Sequence, residues 1–117
     1  MISIGTDIVN VSRIKSLIDK KKEFFLNKIF TQEERHYCNS HSTPEIHYSG
    51  KYAAKEAVKK ALLSNKFVER ISLKDIKILN KDNKAPYVVI DNIMGLNYSI
   101  SISHEEEYAI AFVVIEK

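Results

Sequence analysis

Two carboxylates on separate elements, one of them ringed by lysines, are the residues whose types and spacing could do chemistry. Asp7 stands in "ISIGTDIV", and Glu56 stands in "GKYAAKEAVKKAL" (Gly50–Leu62), among Lys51, Lys55, Lys59 and Lys60. A pair of carboxylates from a strand and a helix can hold Mg²⁺. That ion takes oxygen ligands, keeps several waters and shares its sites with substrate phosphates. Lysines beside the pair would act as point charges for phosphate oxygens. The plainer alternative is a solvated helix face, on which Glu56 and Lys60 form an i, i+4 pair worth roughly a few tenths of a kcal/mol. Asp7 likewise has a structural alternative as the cap of the helix that follows it.

The elements that must position these groups can be read from periodicity. In "ISIGTDIV", Ile2, Ile4 and Ile8 alternate with Ser3, Gly5 and Asp7, which predicts a strand with the acid on its less apolar face. Val11, Ile14, Leu17, Ile18 and Phe25 then fall at helical spacing, with Arg13, Lys15, Lys20, Lys21 and Lys22 on the exposed part. "TQEE" (Thr31–Glu34) has the pattern of a capping box and opens a short helix through Tyr37. "CNSHSTPEIHYSG" is polar, contains a proline and reads as loop. The lysine helix follows, with Ala54, Ala57, Val58, Ala61 and Leu62 as its buried stripe. Tyr52, Glu56 and Lys60 lie opposite, flanked by Lys55 and Lys59.

The second half reads as strands. "ISLKDIKIL" offers Ile71, Leu73, Ile76 and Ile78 for burial, and "NKDNKAP" is a turn. "YVVI", "NYSISIS" and "YAIAFVVIE" are β-rich, and the last two are joined by "HEEE" as a hairpin. The class is α+β, with helices mostly in the first half packed on a mostly antiparallel sheet. With 117 residues, one domain over 1–117 is expected.

His104 sits at the tight end of that hairpin, where it can touch substrate or move a proton, or simply face solvent. The other histidines, His36, His41 and His47, carry no assigned role, and no histidine pair has helical ligand spacing for zinc. Cys38 is the only cysteine, which forbids an intrachain disulfide and suits a small packing residue. The basic first helix can dock an acidic protein surface. A net charge of +3 is only mildly basic, and no Gly-rich loop or nucleic-acid reader motif is present. No nucleic acid and no membrane are therefore expected as partners. "MISIGTDIVN" has neither a basic start nor a long apolar run, so a cytoplasmic protein is expected. The alternatives from other classes are a non-catalytic module that binds acidic proteins and a small nucleic-acid binder.

"IGTDIVNVSRI" (Ile4–Ile14) and "GKYAAKEAVKKAL" resemble the two signatures of the holo-acyl-carrier-protein synthases, a type of 4′-phosphopantetheinyl transferase. "FFLNKIFTQEE" between them and "SISHEEEYAIAFVVIE" at the end fit the same pattern, so the resemblance covers nearly the whole chain. It implies transfer of 4′-phosphopantetheine from coenzyme A to a serine of apo-acyl carrier protein, in fatty acid biosynthesis, with adenosine 3′,5′-bisphosphate as the other product. It implies Asp7 and Glu56 as Mg²⁺ ligands. Lys51, Tyr52, Lys55, Lys59, Lys60 and His104 match positions at or near coenzyme A. Arg13, with Lys20 and Lys21 on the same helix, matches the surface that receives the carrier protein. A homotrimer with active sites between subunits is also implied. In that chemistry Lys60 is placed to stabilise developing charge on phosphate, and Glu56 is the candidate base for the serine proton. Two places depart from the family pattern. "LLSNKFVERIS" lacks the glycine that many members carry after the helix, and "NKAP" replaces an "NGKP"-like turn. Glycine lets backbone approach phosphate closely.

Overall fold

The computed structural model describes residues 1–117. Strand β1 (Ile2–Asn10) leads into helices α1 (Val11–Lys21), α2 (Glu23–Ile29), α3 (Gln32–Asn39) and α4 (Pro44–Ser64). A 3₁₀ turn over Leu73–Asp75 then precedes strands β2 (Lys77–Asn80), β3 (Pro86–Val89), β4 (Asn97–His104) and β5 (Tyr108–Glu116). The first and last strands pair antiparallel in register Ile2↔Glu116 to Asn10↔Tyr108. Strand β4 pairs with the other edge of β5, from Asn97↔Glu116 to His104↔Ala109, so the sheet order is β1-β5-β4. Strands β2 and β3 form a separate two-stranded ribbon. The expected α+β class and the β4–β5 hairpin are both present.

Helix α4 is the central element. Its Ala53, Ala54, Ala57, Val58, Ala61 and Leu62 are fully buried against Val9, Ala111, Val113 and Ile115 of the sheet. The small residues bring helix and sheet close. Gly5 completes the approach, because a Cβ there would overlap the Ala57 carbonyl oxygen. Ser3 donates to the Ala61 carbonyl on the same seam.

Three expectations from the sequence are corrected. Most of the polar "CNSHSTPEIHYSG" stretch is not loop, because α3 runs on to Asn39 and α4 already begins at Pro44; only Ser40–Thr43 connect them. Proline suits a first helical turn, where its missing N–H is not needed. Tyr48 anchors the added turns. Its buried ring packs 5.0 Å from Phe30, and its hydroxyl donates to Asn39 at 2.9 Å. The single basic helix is broken at Lys22, which adopts φ 46 and donates its N–H to Ile18. The long strand around "ISLKDIKIL" is mostly not strand. Leu73–Asp75 form the 3₁₀ turn, and only Lys77–Asn80 pair. The other local signals hold. Thr31 accepts from the Glu34 N–H while Glu34 reaches back to the Thr31 N–H, closing the capping box.

One feature of β1 inverts the usual alternation. Ser3, Gly5 and Val9 point inward, while Ile2, Ile4 and Ile8 are each more than 60% exposed. Tyr108, Ile110 and Phe112 of β5 extend the same outer face and are 42–46% exposed.

Candidate active site

Asp7 and α4 meet on the seam that Gly5 creates. Asp7 is opposite Ala111 in the sheet and so points to the helix side. It does not cap α1. That role falls to Asn10, whose side chain accepts from the Arg13 N–H at 3.1 Å. Asp7 is thus free for another partner, and Lys60 provides one. Its Nζ lies 2.9 Å from Asp7 Oδ1 and 3.1 Å from the Thr6 carbonyl. The Asp7 side chain is only 16% exposed and the Lys60 side chain 55%, so the ammonium can move while the carboxylate is held.

Glu56 lies one helical turn before Lys60 on α4 and is half-buried. The Tyr52 phenol records both acids. Its pKa is raised, first by burial, then by Glu56 and also by Asp7, with Arg13 opposing them. Tyr52 therefore lies within electrostatic reach of Glu56, Asp7 and Arg13. Tyr52 itself stacks on Phe25 with ring centroids 6.3 Å apart, which ties the site to α2. Lys59 borders the same open side of α4 and is half-buried.

No group of three or more His, Cys, Asp and Glu side chains is arranged to hold a metal ion. Any metal held by Asp7 and Glu56 would therefore take the rest of its ligands from water and substrate. Two carboxylates at a solvent-facing seam suit Mg²⁺, which completes its shell with water and phosphate oxygens.

Lys51 and Lys55 do not share the open face, and their expected placement there is corrected. Both are buried. Lys55 Nζ is 2.8 Å from Glu34 Oε1 and donates to the Leu73 and Ile76 carbonyls at 3.0 and 2.7 Å. Glu34 in turn accepts from the Thr31 and Ile78 N–H groups, each at 2.8 Å. Every hydrogen of the Lys55 ammonium has an acceptor, and its side chain is 0% exposed, so it offers nothing to a phosphate. Lys51 donates to the Ile78 carbonyl and to Asn80, and its ammonium lies 4.6 Å from the Tyr37 ring centre. Burial lowers the pKa of both lysines, and Glu34 opposes that shift. The two lysines fasten α4 to β2 and to the start of α3. Glu34, half of this junction, carried only a capping signal in the sequence.

His104 is exposed at the end of β4, two strands from β1 and roughly 10 Å across the sheet by strand spacing. One chain does not bring it to the carboxylate pair. It lines a separate cleft with Tyr37, His47, Lys51, Lys84 and Asn80. His47 stacks on His41 with ring centroids 3.7 Å apart and meets His104 edge-on at 5.5 Å. Its pKa is lowered to about 4, first by burial and then by His41 and His104, with Lys51 adding to them and Glu45 opposing. This histidine cluster was invisible in the sequence, because its members lie in the bend after α3, on α4 and on β4. Arg13, Lys20 and Lys21 are all exposed on α1, as expected. Cys38 is fully buried beside the Lys51–Lys55 junction, and burial pushes its thiol up to about 12.

Comparison with known proteins follows the same line. A sequence model of the 4′-phosphopantetheinyl transferase superfamily matches residues 3–113. A holo-[acyl-carrier-protein] synthase of Thermodesulfovibrio yellowstonii is 46% identical over 114 residues, covering 96% of this chain and 96% of that protein. The crystal structure of holo-[acyl-carrier-protein] synthase from Neisseria meningitidis superposes with a TM-score of 0.85 at 33% identity, covering 100% of both chains. The Helicobacter pylori synthase, solved in complex with coenzyme A, gives 0.83 at 31% identity, over 97% of this chain and 99% of that one.

Proposed function

The chain belongs to the 4′-phosphopantetheinyl transferase superfamily, and from that premise we propose how its own residues carry out the transfer. The reaction moves 4′-phosphopantetheine from coenzyme A to a serine hydroxyl of an apo-acyl carrier protein, in the service of fatty acid biosynthesis. The serine oxygen forms a bond to the phosphorus next to pantetheine. The bond from that phosphorus to the bridging oxygen breaks, and adenosine 3′,5′-bisphosphate leaves with the electron pair. The serine proton passes to a base, for which Glu56 is the candidate.

The observation that carries this reading is the Asp7–Lys60 ion pair at the β1–α4 seam, with half-buried Glu56 one helical turn before Lys60. Asp7 and Glu56 would hold Mg²⁺ there. When bound, the ion neutralises the diphosphate and stabilises the charge that gathers on the leaving phosphate. Lys60, with its side chain 55% exposed, would reach the same phosphate oxygens. Lys59 and Tyr52 border the approach. His104, with Lys84 in its cleft, offers a second basic surface for the nucleotide end of coenzyme A.

The distance of His104 from the carboxylates supports a site completed by a second subunit. The apolar outer face of β1 and β5 supports the same arrangement, since a contiguous exposed patch of this kind marks an interface. We therefore read the protein as a homotrimer of single catalytic domains spanning 1–117. The exposed Arg13, Lys20 and Lys21 of α1 form the docking surface for the acidic carrier protein. No helix is long and apolar enough to cross a membrane, and the reading places the enzyme in the cytoplasm.

Mass spectrometry tests the transfer. The protein is incubated with coenzyme A, Mg²⁺ and an apo-acyl carrier protein, with a chelator control. The expected outcome is a metal-dependent gain of about 340 Da on the carrier protein, the mass of one phosphopantetheine group added covalently. A folded sample that modifies none of several carrier proteins would overturn the reading.

A further inference from the structure

We propose that Lys60 is an exchangeable counter-ion of Asp7, so that the divalent cation binds weakly alone and loads together with the polyphosphate. This rests on the phosphoryl-transfer reading of the site. In the free chain the Lys60 ammonium occupies one Asp7 oxygen at 2.9 Å and is steadied by the Thr6 carbonyl at 3.1 Å. An incoming divalent cation seeks the same carboxylate and meets a like charge about one ion diameter away.

The asymmetry of exposure decides which group yields. Asp7 is 16% exposed and fixed in the middle of β1, with its backbone held in register to β5. Lys60 is 55% exposed at the end of a flexible four-carbon stem. An exposed ion pair of this kind is weak and pays side-chain entropy to hold its geometry. It releases readily once another anion is offered. A diphosphate offers that anion, because its oxygens bind the metal and accept from the freed ammonium together. Metal and phosphate ligand then favour each other, and the linkage is reciprocal.

Lys60 is distinguished from its neighbours by this exchange. Lys55 has its ammonium sealed against Glu34 and two carbonyls, so it cannot leave. Lys59 contributes charge to the same helix but makes no hydrogen bond to Asp7, whose ammonium partner is Lys60. Removing Lys60 therefore frees the carboxylate for metal, whereas removing Lys59 changes only the general field.

The test is Mn²⁺ binding followed by the electron paramagnetic resonance signal of the free ion, with Mn²⁺ standing in for Mg²⁺. Wild type, Lys60→Met and Lys59→Met are titrated at one low ionic strength, with and without coenzyme A and with no carrier protein present. Without coenzyme A, Lys60→Met is expected to bind Mn²⁺ about tenfold more tightly than wild type, the scale set by a unit charge facing a divalent ion at short range in partly aqueous surroundings. Lys59→Met is expected to gain no more than about twofold, because its charge is farther from Asp7. With coenzyme A present the advantage of Lys60→Met should vanish. Equal Mn²⁺ affinity in Lys60→Met and wild type without coenzyme A would overturn the exchange. So would equal gains in the two lysine variants. If wild type with coenzyme A binds no Mn²⁺ at all, the metal reading of Asp7 and Glu56 falls, and the exchange falls with it.

Discussion

Replacing Lys55 by methionine removes one charge from the junction of α3, α4 and β2 while keeping an unbranched side chain only one atom shorter. In the native protein Lys55 and Glu34 are both 0% exposed and 2.8 Å apart. The Leu73 and Ile76 carbonyls accept from the same ammonium. After the substitution Glu34 keeps its two backbone donors from Thr31 and Ile78 but has no counter-charge. Two buried carbonyls also lose a donor. Removing one partner of a buried ion pair costs about 3–5 kcal/mol, most of it the burden of the uncompensated charge. Against a total stability of about 5–15 kcal/mol for a domain of this kind, that is a large fraction. The assay is equilibrium urea unfolding at pH 7 and one fixed chain concentration, since assembly shifts the apparent midpoint. Lys59→Met serves as the exposed-side control and should change stability by less than about 0.5 kcal/mol. A loss below about 1 kcal/mol in Lys55→Met would refute the reasoning, because it would mean that Glu34 does not depend on its partner.

Gly5→Ala places a methyl group into the Ala57 carbonyl, a backbone atom that cannot swing aside. It should destabilise by about 1–3 kcal/mol or more in urea unfolding, and turnover should fall further because Asp7 moves with β1. Glu56→Gln should abolish transfer in the mass-spectrometric assay while leaving the unfolding midpoint within roughly 0.5 kcal/mol of wild type, as expected for a half-buried polar side chain. His47 has a folded pKa near 4 against about 6.5 when unfolded, so the unfolded chain binds the extra proton between those values. Stability should therefore fall as pH drops from about 6.5 toward 4, and His47→Leu should flatten that limb of a melting-temperature profile. Phe112→Glu charges the outer sheet face without touching the core. Analytical ultracentrifugation should then show the 13.5 kDa single chain in place of a three-chain species. An unchanged mass would count against that face as the interface.

Local signals in the sequence were readable where neighbouring residues decide the structure. Thr31 and Glu34 close their capping box within four residues, and "NKDNKAP" turns through Lys81 N–H to the Ala85 carbonyl. Long-range partners were not readable in the same way. Nothing near Glu34 announces that its second oxygen holds Ile78, forty-four residues away. Nothing in the lysine spacing separates Lys55, which turns inward, from Lys59 and Lys60, which border solvent. The helical period placed Lys55 beside the polar stripe, but Glu34 and the Leu73–Ile76 segment pack over that flank of α4, so Lys55 had to be buried and paired. The start of α4 was hidden for a related reason. "PEIHYSG" is mostly polar by composition, and it is helical because Tyr48 finds a buried place against Phe30.

The strand that carries Asp7 shows why apolar alternation alone does not tell which face is inside. Ile2, Ile4 and Ile8 are the residues that a core normally claims, yet within one chain the inner side takes Ser3, Gly5 and Val9. The cause lies in α4. Its Ala57 and Ala61 come so close to β1 that only small side chains fit between them, and Gly5 cannot carry even a methyl group. That close approach sets the helix against Asp7 and lets Lys60 reach it from a neighbouring turn. It also turns the isoleucines outward, onto the same face as Ile110 and Phe112. Hydrophobic surface of that extent favours burial, and the chain has nothing of its own left to cover it. One packing decision thus joins two features of the reading. The seam tight enough to bring Asp7 to the lysine helix leaves the sheet an apolar outer face, which the proposed trimer would bury.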